Sequence, residues 1–138
     1  MAEAPILDAE ALNALAHASD RGVLAERARG ILRIAHDRGA IVCVPAPVLA
    51  EVCRGQQFDA PVNRILAGRG LVVLELTRQI SQRAGHLLAR AGLSSAPAVD
   101  AFVVASAQEF SSATIATGDP TDIRRLVGST RTVRVFAI

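Results

Sequence analysis

The stretch that decides the fold is IATGDPTDIRRL, residues 115–126. A short apolar run ends at Thr117, and a helical pattern of isoleucine, leucine and arginine begins after Pro120. This order predicts a strand, a sharp corner and a helix, with Asp119 just beyond the carboxyl end of the strand. Gly118 lets the backbone turn sharply and lets a ligand approach closely. Core packing does not explain an acid in such a corner, so Asp119 marks a candidate site.

The rest of the chain alternates strands and helices in the same way. Such alternation predicts a single α/β domain over residues 1–138, with a mainly parallel central sheet and helices on both of its faces. The length suits one domain of ordinary size. Predicted strands cover residues 5–7, 40–44, 71–76, 114–117 and 132–138, and predicted helices cover residues 9–16, 23–37, 47–55, 60–67, 78–91, 97–107 and 123–127.

Composition excludes several classes of protein. An apolar fraction of 51% with 20% charged residues argues against disorder. No apolar run approaches the roughly 20 residues that span a bilayer, and the acidic start of the chain lacks the basic region of a secretory signal. We therefore expect a cytoplasmic protein with no membrane partner. Because the formal net charge is only +2, any binding to nucleic acid must come from local patches.

The chain contains no lysine, tyrosine or tryptophan. Catalysis by lysine is therefore excluded, four phenylalanines remain for stacking on bases, and arginine must contact any phosphate backbone. Cys43 and Cys53 form no CxxC motif and have no nearby histidine pair, which argues against zinc. We expect both thiols to be buried or partly buried.

Acids stand where a parallel sheet binds its ligands. Ligands of such sheets lie beyond the carboxyl ends of the strands, near the point where the strand order reverses. Asp8 follows the first predicted strand and Asp119 follows the fourth, while Glu51 and Asp100 lie at helix ends that can point into the same crevice. Carboxylates this close repel one another unless a divalent cation neutralises them. The pattern predicts Mg²⁺, with Mn²⁺ as a substitute, and phosphodiester hydrolysis.

Each acid also has an ordinary structural explanation. Asp8 and Asp119 stand where a side chain can cap the following helix. Asp100 in a first helical turn interacts favourably with the helix dipole. Glu51 stands three residues before Arg54, a spacing at which the two side chains can pair on a helix surface. These alternatives stay open at the level of the sequence.

Four stretches together resemble the PIN-domain family, and more narrowly the VapC-type toxins of bacterial toxin–antitoxin pairs. They are ILDAEALNAL, PAPVLAEVCRG, LLARAGLSSAPAVDAFVVASA and IATGDPTDIRRL, which occur in this order along nearly the whole chain. The resemblance implies a PIN-like three-layer α/β/α fold. It implies that four acids ligate the metal, namely Asp8, Glu51, Asp100 and Asp119. It also implies that the Thr117 hydroxyl orients the site and that Asp122 is a candidate fifth acid.

The same resemblance implies a function. Proteins of this type are metal-dependent endoribonucleases, commonly homodimeric, that a cognate antitoxin protein holds inactive. One departure is Glu10, where family members often carry serine or threonine. It leaves two roles open for Glu10, an ordinary acid of the first helical turn or an additional metal ligand.

Two further functions stay open beside the ribonuclease. One is a degenerate PIN fold that binds RNA or protein without cutting, and the other is a nuclease of the same fold that cuts DNA. A phospho-acceptor signalling domain also carries an aspartate at a strand end, but it requires a lysine near its site. The absence of lysine argues against that class.

Overall fold

One parallel sheet forms the centre of the molecule. The computed structural model describes residues 3–138, and in this part of the chain five strands pair side by side. They are β1 (Ala4–Leu7), β2 (Val42–Pro45), β3 (Leu71–Leu74), β4 (Ala113–Thr117) and β5 (Val133–Ala137).

The strand order is β3-β2-β1-β4-β5, and every pair of neighbours is parallel. Ile6 of β1 pairs with Cys43 of β2 on one side and with Ile115 of β4 on the other. The order reverses between β1 and β4, because the chain first adds strands on one side of β1 and then on the other. The carboxyl ends of β1 and β4 therefore flank the crevice in which parallel sheets bind their ligands.

The helices form two layers with the sheet between them, which confirms the predicted three-layer α/β/α architecture. The first four helices pack together, and the last three pack together. They are α1 (Ala9–Ala16), α2 (Val23–Asp37), α3 (Leu49–Val52), α4 (Gln56–Leu66), α5 (Arg78–Arg90), α6 (Ala98–Ala107) and α7 (Pro120–Val127).

The core lies on both faces of the two central strands. Ile6 and Leu7 of β1 and Ile115 of β4 are fully buried, because helices cover both sides of these strands. The edge strand β3 is covered less well, and Val72 and Val73 stay partly exposed. The sequence pattern follows from this arrangement, since a strand covered on both faces reads as a continuous apolar run rather than an alternating one.

Several predicted boundaries shift by a few residues. The strand predicted over 71–76 ends at Leu74, because Leu74 pairs with Pro45, the last residue of β2. The strand predicted over 40–44 begins at Val42 and includes Pro45 for the same reason of pairing. The helix predicted over 47–55 consists of a 3₁₀ turn, Ala46–Val48, followed by α3.

The starts of two helices also differ from prediction. Helix α4 begins at Gln56 rather than residue 60, where the Asp59 carboxylate accepts a hydrogen bond from the Gly55 amide at 3.2 Å. Helix α7 begins at Pro120 rather than residue 123, so the corner before it is shorter than predicted. Proline suits the first turn of a helix because its missing amide hydrogen has no partner there.

Other predictions hold as made. The Thr77 side chain caps α5 by accepting a hydrogen bond from the Ile80 amide at 3.1 Å. Both cysteines are free thiols, Cys43 buried and Cys53 partly buried. Across residues 3–138, no helix combines the length and the apolar character that crossing a membrane requires.

Candidate functional site

Three carboxylates meet at the carboxyl end of β4. Asp119 lies just beyond that strand, Asp122 lies in the first turn of α7, and Asp100 lies in the first turn of α6. Each of them places an oxygen within 4.8 Å of the others. The early start of α7 brings Asp122 into this group, since a helical first turn directs its side chain back toward Asp119.

Asp8 stands at the end of β1, on the opposite side of the crevice. Its side chain is 4% exposed and accepts a hydrogen bond from the Ala11 amide at 2.9 Å, so it caps α1. Burial raises the pKa of Asp8, while hydrogen bonds from the Thr117 side chain and the Ala11 and Gly118 amides oppose that rise. The capping explanation is therefore correct, but it does not account for a carboxyl group buried this deeply beside other acids.

The pKa of Asp100 reflects the presence of other acids around its carboxyl group. Its pKa is raised to about 6, first by burial and then by the negative charges of four neighbouring carboxylates. Those carboxylates belong to Asp8, Glu51, Asp119 and Asp122. All four predicted acids and Asp122 are thus coupled by charge through Asp100, but the group whose oxygens lie within 4.8 Å of one another consists of Asp100, Asp119 and Asp122, without Asp8 and Glu51.

Ordinary explanations fit two of these acids poorly. The Asp119 side chain makes no capping hydrogen bond to α7, although the residue stands at the capping position. Arg54 does not pair with the Glu51 carboxylate, and its Nε instead donates to the Glu51 backbone carbonyl at 3.2 Å. Both carboxylates are therefore exposed and available to a ligand.

Thr117 is hydrogen bonded to both Asp8 and Asp119. Its side chain is fully buried, and its Oγ1 accepts a hydrogen bond from the Asp119 amide at 2.8 Å. The same hydroxyl hydrogen bonds to the Asp8 carboxylate and so lowers the pKa of Asp8. One side chain thereby fixes the carboxyl end of β1 against the corner after β4.

Glu10 is not among the three acids that lie within 4.8 Å of one another, although its charge raises the pKa of Asp8. Its carboxylate pairs with Arg21 at 3.0 Å, and its methylene groups lie against Gly118. The structure therefore favours a structural role for Glu10 over metal ligation. The pairing with Arg21 was not predicted, because nothing in the local sequence joins the two residues.

A cleft beside Glu51 was also missed by the sequence. His17 at the end of α1 and Phe58 in the first turn of α4 form its rim, together with Arg54. Neither ring belongs to a recognisable motif. The only signal in the sequence is the rarity of aromatic residues in this chain, which number four.

The donor set fits a hard divalent cation. All the groups that converge here are carboxylates, the ligands that Mg²⁺ and Mn²⁺ prefer. Two oxygens on opposite sides of one Mg²⁺ lie about 4.2 Å apart, since each bond is about 2.1 Å long. Oxygens within 4.8 Å of one another therefore need only small side-chain movements to share an ion.

Comparisons with known proteins agree with this architecture. One similar solved structure is the crystal structure of VapBC2 from Rickettsia felis bound to a DNA fragment from their promoter; the match has a TM-score of 0.70, 14% identity and 98% coverage of each chain. A search of curated proteins finds no match. The PIN domain family matches residues 6–128, from within the central strand β1 to just beyond the end of α7. Since this match spans most of the chain, the protein belongs to the PIN domain family.

Proposed function

We propose that this protein is a metal-dependent endoribonuclease and the toxin of a type II toxin–antitoxin pair. The observation that carries the proposal is the meeting of Asp100, Asp119 and Asp122 within 4.8 Å at the point where the strand order reverses. Burial and, after it, the charges of neighbouring carboxylates raise the pKa of Asp100 to about 6, and a divalent cation would relieve the repulsion among these carboxylates.

Four acids would hold the ion, and these are Asp8, Glu51, Asp100 and Asp119. When bound, Mg²⁺ or Mn²⁺ would make water a stronger nucleophile and offset negative charge on the phosphate. Asp122 would serve as a fifth acid, either on the ion or on a water beside it. Thr117 would act as a positioning residue, because it fixes Asp8 and Asp119 relative to each other.

The surroundings of the acids support a nucleic-acid substrate. The exposed side chains of Arg54 and Arg124 flank elements that carry the acids, and arginine is the usual partner of phosphate. We infer RNA rather than DNA from the resemblance to VapC-type toxins, and the alternative of a DNA-directed nuclease is an outcome of the first experiment below.

A cognate antitoxin would be the protein partner. The resemblance of the acidic motifs to VapC-type toxins supports this part of the proposal, and the likeness of the fold to VapBC2 agrees with it. By the same resemblance we expect a homodimer that acts in the cytoplasm. Growth arrest on expression, relieved by coexpression of the gene product encoded beside it, would support the toxin role.

Cleavage of total cellular RNA by the purified protein tests the enzymatic part. We expect discrete cuts with Mg²⁺ and with Mn²⁺, no cuts with chelator, and no cuts by the Asp119→Asn variant. The Glu26→Gln variant, altered at an exposed ion pair with Arg29 on α2, is the matched control and should cut normally. Uncut RNA in every lane, with intact fold, would contradict the proposal and favour a binding module. Parallel DNA oligonucleotides would reveal a DNA-directed nuclease.

A further inference from the structure

A cleft opens between α1 and α4, and one of the proposed ligand acids, Glu51, lies in its wall. Its volume is about 430 Å³, which is within the range of small-ligand sites. The charge of Glu51 acts on Asp100, so this residue connects the cleft with the proposed metal site. The other side chains that matter are Asn13, His17, Arg54 and Phe58.

Phe58 is an aromatic ring without a place in the core. It is 40% exposed, whereas Phe102 and Phe110 pack against the hydrophobic core. Its aromatic neighbour is His17, whose ring lies 6.1 Å away at an interplanar angle of 69°. This edge-to-face contact fixes the orientation of the Phe58 ring and leaves part of its surface open to the cleft.

The two arginines of the cleft differ in their availability. Arg21 is engaged by the carboxylate of Glu10 at 3.0 Å. Arg54 contacts only a backbone carbonyl, that of Glu51, within the part of the chain that the structure describes. This bond ties the guanidinium to the end of α3 in the lining of the cleft, where its remaining donors can meet a phosphate.

We propose that this cleft binds one unpaired nucleotide next to the scissile phosphate, with its base stacked on Phe58 and a phosphate on Arg54. The inference rests on the proposed function, because Glu51 belongs both to the cleft and to the acids that would hold the ion. The cleft offers one group for each part of a nucleotide. The Phe58 ring matches the π face of the base, the Arg54 guanidinium matches the phosphate, and the Asn13 amide matches the base edge.

This arrangement specifies the form of the substrate. A base can stack on a side chain only after leaving its own helical stack, so the nucleotide beside the cut must be unpaired. Stacking accepts every base because each has a π face. Any preference for one base would then come from hydrogen bonds to Asn13.

The absence of tryptophan from the chain gives a direct optical test. In the Phe58→Trp variant, the new ring is the sole tryptophan and stands in the cleft. Phe136→Trp is the matched control, since Phe136 is also exposed, at 44%, but lies on β5 outside the cleft. Both changes are made in an Asp100→Asn background, so that the RNA is not cut.

The probes are a single-stranded RNA of about 12 nucleotides with random sequence, the same length as duplex, and an abasic strand of equal charge. We expect the single strand to quench the fluorescence of the Phe58→Trp variant saturably and to leave that of the Phe136→Trp variant unchanged. The duplex and the abasic strand should have little effect on either variant. Phe58→Ala should weaken binding of the single strand roughly 5- to 30-fold, the lower part of the range for one stacked base, while Phe136→Ala should not.

Two results would overturn the inference. One is equal quenching of the Phe58→Trp variant by the single strand and the abasic strand, which would show attraction by charge alone. The other is an unchanged affinity of Phe58→Ala for RNA. This result would overturn the inference even if the same variant had lost its binding to the antitoxin. If the single strand quenched the Phe58→Trp variant as expected but the wild type cut no RNA with any metal, the cleft would be upheld and the nuclease refuted. The two failures are therefore distinguishable.

Discussion

The side chain of Glu10 occupies the space that a side chain at Gly118 would need. A Cβ built on Gly118 would overlap Cγ of Glu10 and lie 2.7 Å from its Cβ. Arg21 holds the Glu10 carboxylate at 3.0 Å, so the acid is fixed across the corner that leads to Asp119. Glycine is therefore required at position 118 by a close approach between two distant parts of the chain.

We predict that Gly118→Ala destabilises the protein by about 1 to 3 kcal/mol, the usual cost of forcing an added group into an occupied space. The methyl group must displace Glu10 from Arg21 or move the corner that carries Asp119. Urea unfolding in the presence of chelator measures the free energy of unfolding without any contribution from bound metal.

The double variant Gly118→Ala with Glu10→Ala tests the cause. Removal of the Glu10 side chain beyond Cβ relieves the closest contact, so the two changes together should cost less than the sum of the single changes. Additive costs would show that Gly118→Ala acts through the backbone or the remaining Cβ of Glu10 rather than through the Glu10 side chain beyond Cβ.

Asp100 gives a prediction about stability and pH. Its pKa of about 6 in the folded protein exceeds its ordinary value of 3.8, so the folded state binds this proton more tightly than the unfolded state. Stability should therefore fall as pH rises from about 4 to above 6 in the absence of metal. Above that window, Asp100→Asn should be more stable than wild type by about 1 to 3 kcal/mol, after allowance for partial solvent screening.

Thermal unfolding at pH 7.5 and pH 4 with chelator checks this prediction. The melting temperature of Asp100→Asn should exceed that of wild type by several degrees at pH 7.5, and the difference should shrink at pH 4. Saturating Mg²⁺ should raise the melting temperature of wild type more than that of the variant. A variant less stable than wild type at both pH values would contradict the repulsion among these acids.

The same titration should limit catalysis at low pH. A protonated Asp100 cannot ligate a cation, so kcat/KM should rise with pH through about 6 and then level off. Asp122→Asn removes one of the charges that raise the pKa of Asp100. The limb of the profile in which kcat/KM rises with pH should therefore move to lower pH, even though the overall rate falls. Glu109→Gln, altered at the ion pair with Arg83, should leave the position of the limb unchanged. A profile flat from pH 5 to 8 would contradict the assignment.

The sequence alone was sufficient to predict those structural features that local interactions determine. Helix α2 has the predicted bounds, Val23–Asp37, because an apolar stripe defines its length and Gly39 turns the chain after it with φ +64°. The positions of Asp8 and Asp119 at neighbouring strand ends were predictable because each follows a buried strand, and parallel strands bring such ends together.

Features that depend on tertiary contact were not predictable. The place of Asp122 among the acids depends on where α7 begins, and a shift of a few residues decides whether its side chain faces Asp119. The contacts between Glu10 and Gly118 and between His17 and Phe58 join residues far apart in the sequence. Neither follows from periodicity, capping or composition.

Thr117 gives the last prediction, because its hydroxyl serves both sides of the crevice. Thr117→Val keeps the shape but removes the acceptor of the Asp119 amide and the donor to Asp8. We expect a loss of about 1 to 3 kcal/mol in stability, a further rise in the pKa of Asp8 and weaker binding of Mg²⁺. Thr117→Ser keeps the hydroxyl and loses only a methyl group, so it should retain Mg²⁺ binding at a smaller cost in stability. Calorimetric titration with Mg²⁺, beside urea unfolding in chelator, separates the two effects. If the valine variant bound Mg²⁺ as tightly as the serine variant, Thr117 would only fill space in the core, and the alignment of Asp8 with Asp119 would have to come from the strands alone.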